Sequence, residues 1–191
     1  MAFFELKRER NTFQLVPWGT PVKVGKDPFT GQFTPDGRFY LTSNWGRNFG
    51  KDVKTVEQRL PTERGTVTAI QLTDSQHQVI STAISDISPE SLAISPDGAL
   101  VVTVNMRGTA FVPTSPRFTR EASLSLLSLD RVGHLTKVGD YPFEGILPES
   151  AAFDASAIAW PLPFTIILRL NQKAGSNFGK GFVNHNLHYG A

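Results

Sequence analysis

The sequence predicts an all-β chain, a β-propeller segment of four-stranded antiparallel blades that stops short of a closed ring. Three observations carry this. One stretch occurs three times, as DPFTGQFTPDG (Asp27–Gly37), SPESLAISPDG (Ser88–Gly98) and LPESAAFDASA (Leu147–Ala157), spaced 61 and then 59 residues apart. Between copies lie further short runs rich in branched and aromatic residues, giving four extended segments per repeat. No stretch shows convincing helical periodicity. A fixed period with four short strands per unit is the pattern of a propeller blade, whereas a β-sandwich does not require one motif at one period.

The elements follow in order. Met1–Leu6 and Thr12–Gly25 read as extended segments and, with no partner before them, as the end of a preceding blade over residues 1–26. Residues 27–87 form the first full blade. Gln32–Thr34 is a short strand, Thr34-Pro35-Asp36-Gly37 a tight turn and Arg38–Asn44 a strand. Pro pre-sets φ in such a turn and Gly accepts positive φ. Trp45–Glu63 is a long polar loop; Thr66–Leu72 and Gln76–Ile84 are the outer strands. Residues 88–146 repeat the unit with strands Leu92–Ser95, Ala99–Asn105, Ala122–Leu129 and His134–Tyr141, and a long loop over Met106–Glu121. Residues 147–159 start a further blade.

After Asp154 the pattern fails. Ala155-Ser156-Ala157 replaces the turn, and Pro161 and Pro163 fall where a strand is due, each removing a ladder donor. Reading the codons one base out of phase permits an alanine at Trp160-Pro161, followed by a run such as V-A-V-Y-N-Y. Residues 160–191 are therefore expected to be an aberrant tail, out of frame and poorly packed. His185 and His188 fall in it and are not counted as metal ligands.

Composition narrows function by exclusion. There are no cysteines, so disulfides, thiolate metal sites and a cysteine nucleophile are out. Net charge is +2 without a basic cluster, which predicts no nucleic-acid footprint. The longest apolar run, Trp160–Leu168, is too short to span a bilayer, so no membrane association is expected. The charges of MAFFELKRER follow its apolar run, the reverse of a secretory signal. The chain as given reads as soluble and cytoplasmic, with a periplasmic or secreted location open if residues are missing before Met1. No GxSxG elbow, phosphate loop or HExxH motif is present.

ISPDGALVVTVN (Ile94–Asn105) and FTPDGRFYLTSN (Phe33–Asn44) resemble the YVTN-type repeat of lactonase-like seven-bladed propellers, a Pro-Asp-Gly turn followed by an apolar strand and Thr-x-Asn. The resemblance covers most of Asp27–Asp154. It implies a larger protein whose remaining blades are partners of this segment. It also implies that each blade's first strand lines a central channel. The loop entering that strand and the loop leaving the second then share one face, opposite the PDG turns. That loop-rich face would hold Glu90, Ser91, Asn105, Arg107, Thr30, Asn44, Arg47, Glu149 and Ser150.

Two functions follow as expectations. One is a scaffold binding a small molecule or protein on the loop-rich face, with Asn44, Arg47, Asn105 and Glu149 as binding candidates. The other is hydrolysis of a sugar lactone, with Glu90 and Arg107 as catalytic candidates, paired with each other or holding an anionic substrate. Glu90 and Glu149 share one repeat column, and carboxylates in a channel suit hard cations such as calcium; nothing else in the sequence supports a metal, and no cofactor is expected. Asn44 and Asn105 end strands, where such residues more often cap a turn than touch a ligand. Asp36 and Asp97 are expected to shape their turns, Trp18 and Trp45 to pack, and His77 and His134 to face solvent.

Overall fold

The computed structural model describes residues 1–154 and the backbone of 165–170 and 184–186. Among these residues the chain is almost entirely β. A two-stranded sheet of β1 (Phe3–Glu9) and β2 (Thr12–Trp18) comes first. Strands β3 (Pro28–Phe33), β4 (Phe39–Asn44), β5 (Thr66–Gln71) and β6 (Gln78–Ile84) form the first four-stranded antiparallel sheet in sequential order. Strands β7 (Pro89–Ile94), β8 (Leu100–Asn105), β9 (Glu121–Leu129) and β10 (Leu135–Glu144) form the second in the same order. β11 (Pro148–Phe153) opens a third sheet with β12 (Thr165–Leu170) and β13 (Asn184–Asn186). These are propeller blades in an incomplete ring, with the first strands β3, β7 and β11 packed beside one another. The backbone of β12 begins beyond Pro161 and Pro163, so these prolines do not interrupt its ladder with β11. The rest of the region read as out of frame lies outside the described residues.

Alternation along the strands explains how the blades stack. β8 is apolar on both sides because both sides are covered. Leu100, Val102 and Val104 point one way, into a core with Leu124, Leu126 and Phe143 that Ala151 and Phe153 of β11 close. Val101 points the other way with Leu127 and Leu129, against Phe39, Leu41, Val67 and Ala69 of the first blade. Val101 and Leu127 are fully buried, which stabilises by about 2 kcal/mol each.

The PDG turns are superimposable in their bonding. Thr34 Oγ1 donates to Asp36 Oδ1 and Ser95 Oγ to Asp97 Oδ1, both at 2.6 Å. Each carboxylate also accepts the backbone N–H two residues on. Gly37 and Gly98 sit at φ 71 and 75. The Thr34 hydroxyl and Arg38 hold the Asp36 carboxyl down to about 2.

Several expectations need correction. β3 and β7 start at their prolines, not at Gln32 and Leu92. Each is the terminal strand of its sheet, and a first residue can lack a ladder donor. The first long loop contains one helical turn, α1 (Val56–Arg59), closed by a capping box between Thr55 and Gln58. The second contains a 3₁₀ turn, Arg107–Ala110. His77 is buried, at 3 % exposure, not solvent-facing. Its Nε2 lies 2.6 Å from Trp18 O, and its ring packs edge-on against Phe3 and Trp18. Its chain position after a polar turn suggested exposure, but the β1–β2 hairpin covers it. His134 is exposed, as expected.

Candidate functional site

Each first strand enters its blade by the same device. The residue before the proline has positive φ: Asp27 at 56, Ser88 at 58 and Leu147 at 49. One extra residue then bulges from the ladder, since Pro89 opposes Asn105 but Ser91 opposes Val104, and Pro148 opposes Leu170 but Ser150 opposes Arg169. The same irregularity falls between Pro28 and Gly31. Glu90 and Glu149 are the bulged residues. A bulge re-aims its side chain and is common beside functional sites. The chain leaving each second strand bonds back to this entry: Trp45 N–H to Asp27 O and Met106 N–H to Ser88 O. The strand entries and the two long loops therefore share one end of each blade.

Glu90 is half-buried. Burial, above all, pushes its carboxyl up to about 7; Arg47 opposes the shift, while Glu149 and Asp27 add to it. Its Oε2 is buried without a hydrogen-bond partner among the described residues. The neighbouring blade touches its backbone, where Thr30 Oγ1 donates to Glu90 O at 3.2 Å. In the first blade the Glu90 column is filled by Phe29, 41 % exposed.

Arg47 lies beside Phe29 and is held on all sides. Its Nε donates to Asp27 Oδ2 at 2.7 Å and its Nη2 to Asp27 Oδ1 at 3.2 Å. Its guanidinium lies 4.2 Å from the Trp45 ring centroid, 4.9 Å from Phe29 and 5.2 Å from Phe49. Trp45 is buried, and its Nε1 has no partner among the described residues.

Arg107 is not Glu90's partner. It pairs with Glu121 and approaches Asp86 Oδ2 at 3.6 Å. The reason is local: Arg107 falls in the column of Gly46 and shares its positive φ, so its chain turns away toward β9. Asn44 and Asn105 are buried at 1 % and 0 %. Neither caps a turn. Asn44 Nδ2 donates to Thr66 and Thr68, and Asn105 Nδ2 to Ser123 and Ser125, across adjacent strands. The structure thus gathers Glu90, Glu149 and Arg47 at one end of the first strands, and leaves Arg107 and the two asparagines outside that group. Asp27 and Phe29 complete it, and sequence reasoning passed over both. Their signal was departure from the repeat: Asp27 stands where Ser88 and Leu147 stand, and Phe29 where the glutamates stand. Among the described residues no cluster of three or more His, Asp or Glu side chains is arranged to hold a metal ion.

The long loops wall this end. Arg117 donates to the carbonyls of Glu57, Leu60 and Pro61 at 3.1–3.3 Å, and Ser115 Oγ to Glu57.

No protein-family model matches the chain, and no curated protein does. Among solved structures it is similar to a Lactobacillus plantarum protein at TM-score 0.57 and 13 % identity, covering 91 % of this chain and 48 % of that one. A candidate 6-phosphogluconolactonase from Bacteroides fragilis aligns over 97 % of this chain and 57 % of its own, at 15 % identity and TM-score 0.42. The chain spans about half the length of these structures. The first likeness supports the fold alone, a segment of an all-β propeller.

Proposed function

We propose that this propeller segment binds a small polar molecule at the loop-rich end of its first strands, against Phe29, Glu90 and Glu149. The observation that carries this is the buried, unpartnered Oε2 of Glu90 on a bulge that every blade repeats. A buried polar atom without a partner costs about 1–3 kcal/mol, so a polar ligand would relieve it. Phe29 offers a face for stacking, and the interlocked loops limit access from one side. The test is a titration followed through Trp fluorescence and backbone amide shifts. Binding should move the signals of Phe29, Trp45 and Glu90, and Glu90→Gln should weaken it about tenfold. Shifts confined to the PDG-turn face would refute the assignment.

A second reading is sugar-lactone hydrolysis, to which the YVTN-like repeat lends its resemblance. The favouring observation is a half-buried carboxyl that burial pushes up to about 7, a value suited to a general base at neutral pH. Fold likeness alone does not supply activity. Lactone hydrolysis with a pH profile turning near 7, abolished in Glu90→Gln, is the expected result on this reading. Unchanged turnover in that variant would remove Glu90 from the mechanism.

A further inference from the structure

The first sheet has an open edge whose residue order matches itself. β1 and β2 form a sheet of two strands, whereas each complete blade has four. A two-stranded sheet is marginally stable by itself. β5 and β9 have a strand on either side and are buried along most of their length, but β1 is exposed from Phe4 to Glu9. The register Phe4↔Pro17, Leu6↔Leu15 and Arg8↔Phe13 puts these six residues on one face. Phe4, Leu6, Phe13 and Leu15 are 55–67 % exposed there. The two outer edges of the sheet differ. Pro17 interrupts β2, and proline is a common guard of an exposed edge. β1 contains neither proline nor glycine, and among the described residues no strand lies beyond it.

We propose that β1 is a dimerisation strand, which pairs antiparallel with β1 of a second copy of this chain about a two-fold axis at Leu6. The product is a four-stranded sheet in the order β2, β1, β1, β2. This register sets Leu6 opposite Leu6, Glu5 opposite Lys7 and Phe4 opposite Arg8. Opposed Cβ atoms in an antiparallel pair lie about 4.5–5.5 Å apart, so the charges attract and Arg8 can cover the Phe4 ring. Glu5 and Lys7 already pair within the strand at 3.2 Å. Across the axis the two pairs become a square of alternating charge. Sliding two residues either way keeps the apolar residues on one face, but sets Glu5 against Glu5 or Lys7 against Lys7. Parallel pairing in register opposes both to themselves. The charges that blunt this edge toward a foreign strand therefore select a second copy, and one register of it. Seven residues per copy make a small interface, which predicts a weak dimer with a dissociation constant of roughly micromolar order.

Charge reversal tests the register without touching the core, because Glu5 and Lys7 are exposed. Sedimentation velocity on the 191-residue protein, over a range of concentrations at low salt, reads the dimer. Wild type should dimerise as concentration rises. Glu5→Lys and Lys7→Glu each set like charges across the axis and should each weaken the dimer about tenfold or more. The double variant Glu5→Lys/Lys7→Glu restores the match and should recover wild-type affinity. The two single variants mixed should form a heterodimer more readily than either dimerises alone. Leu15→Thr, on β2 and one strand away from the axis, should leave the dimer in place. A wild type that stays monomeric at several hundred times the expected constant, about 0.5 mM, overturns the proposal and leaves the edge to strands of another chain. A dimer indifferent to the charge reversals, or one lost in Leu15→Thr, also overturns it, because the apolar faces and not the β1 edges would then make the contact.

Discussion

Asn105 accepts hydrogen bonds from Ser85 and Thr103 through Oδ1, at 2.9 and 3.0 Å, while the same oxygen of Asn44 has no partner among the described residues. The two residues fill one column of the repeat and donate through Nδ2 in the same way. The difference lies in the segment leading into the first strand. Ser85 and Asp86 precede the second blade, but Val24 and Gly25 stand at those positions before the first. Asn105 is thus the centre of a satisfied buried network, and Asn44 is half of one.

Removing Asn105 strands several donors and acceptors at once. Asn105→Ala should cost about 3 kcal/mol, and Asn44→Ala about 1–2 kcal/mol, because part of its bonding is already missing. Urea unfolding of the two variants tests the order. Equal losses would show that the buried network adds nothing beyond the shared Nδ2 bonds.

Glu90 gives stability a pH dependence whose sign is fixed by its raised carboxyl. The folded state holds the proton up to about 7, whereas the unfolded chain releases it near the ordinary value of 4.5. The folded form therefore binds more protons between these limits. Its contribution is fully present below 4.5 and is lost as pH rises through 7. Full burial would make this about 3 kcal/mol, and screening of a half-exposed group reduces it to about 1–2 kcal/mol. Glu90→Gln should flatten the fall in stability between pH 5 and 8 and raise the melting temperature at pH 8 by about 2–6 °C. A variant that melts like wild type at pH 8 would contradict the burial assigned to this carboxyl.

Most of this architecture was legible because it repeats. The 61-residue spacing, the PDG turns and the apolar runs placed eight strands of two blades, with errors only at their ends. The candidate site was half legible. Glu90, Glu149 and Arg47 could be assigned to one end through the resemblance to YVTN-type repeats, but partners across it could not. Arg107 looked like Glu90's partner because both lie in one blade. Its positive φ sends it to Glu121 instead, and no residue pattern announces that. Asp27 and Phe29 were passed over because a repeat draws attention to what is shared, whereas here the departures from it define the charge and the aromatic face. His77 misled for a related reason: its burial comes from Phe3 and Trp18 of the hairpin, 74 and 59 residues earlier, a contact without a local signature.

The two long loops should behave as one unit. Arg117 crosses between them, with three carbonyl contacts and its guanidinium 3.9 Å from the Phe111 ring centroid. Arg117→Ala removes the fork and the stacking together. Hydrogen exchange in Val56–Leu60 should accelerate by about tenfold or more while β8 and β9 stay protected, since loops open locally without global unfolding. Unchanged exchange at Leu60 would show that Ser115 and Glu57 alone hold the loops. Lysine at the same position keeps charge but loses the planar fork, and should recover little of the protection.

The hairpin is pinned to the first blade at one crowded point. Gly19 has φ 66, and a Cβ there would lie 2.6 Å from His77 Nε2. The ring cannot yield freely, because Nε2 contacts Trp18 O at 2.6 Å and Nδ1 accepts from Thr73 N–H at 3.4 Å. Gly19→Ala therefore combines left-handed strain of about 1–2 kcal/mol with a steric clash, for a total near 3 kcal/mol. Most of the loss should appear as detachment of β1 and β2, seen as a red shift of Trp18 fluorescence before the blades unfold. His77→Ala makes room for the methyl group, so the double variant should lose less than the two single losses added together, a coupling of about 1 kcal/mol. Strict additivity would mean that the backbone strain at Gly19, and not the histidine ring, sets the cost.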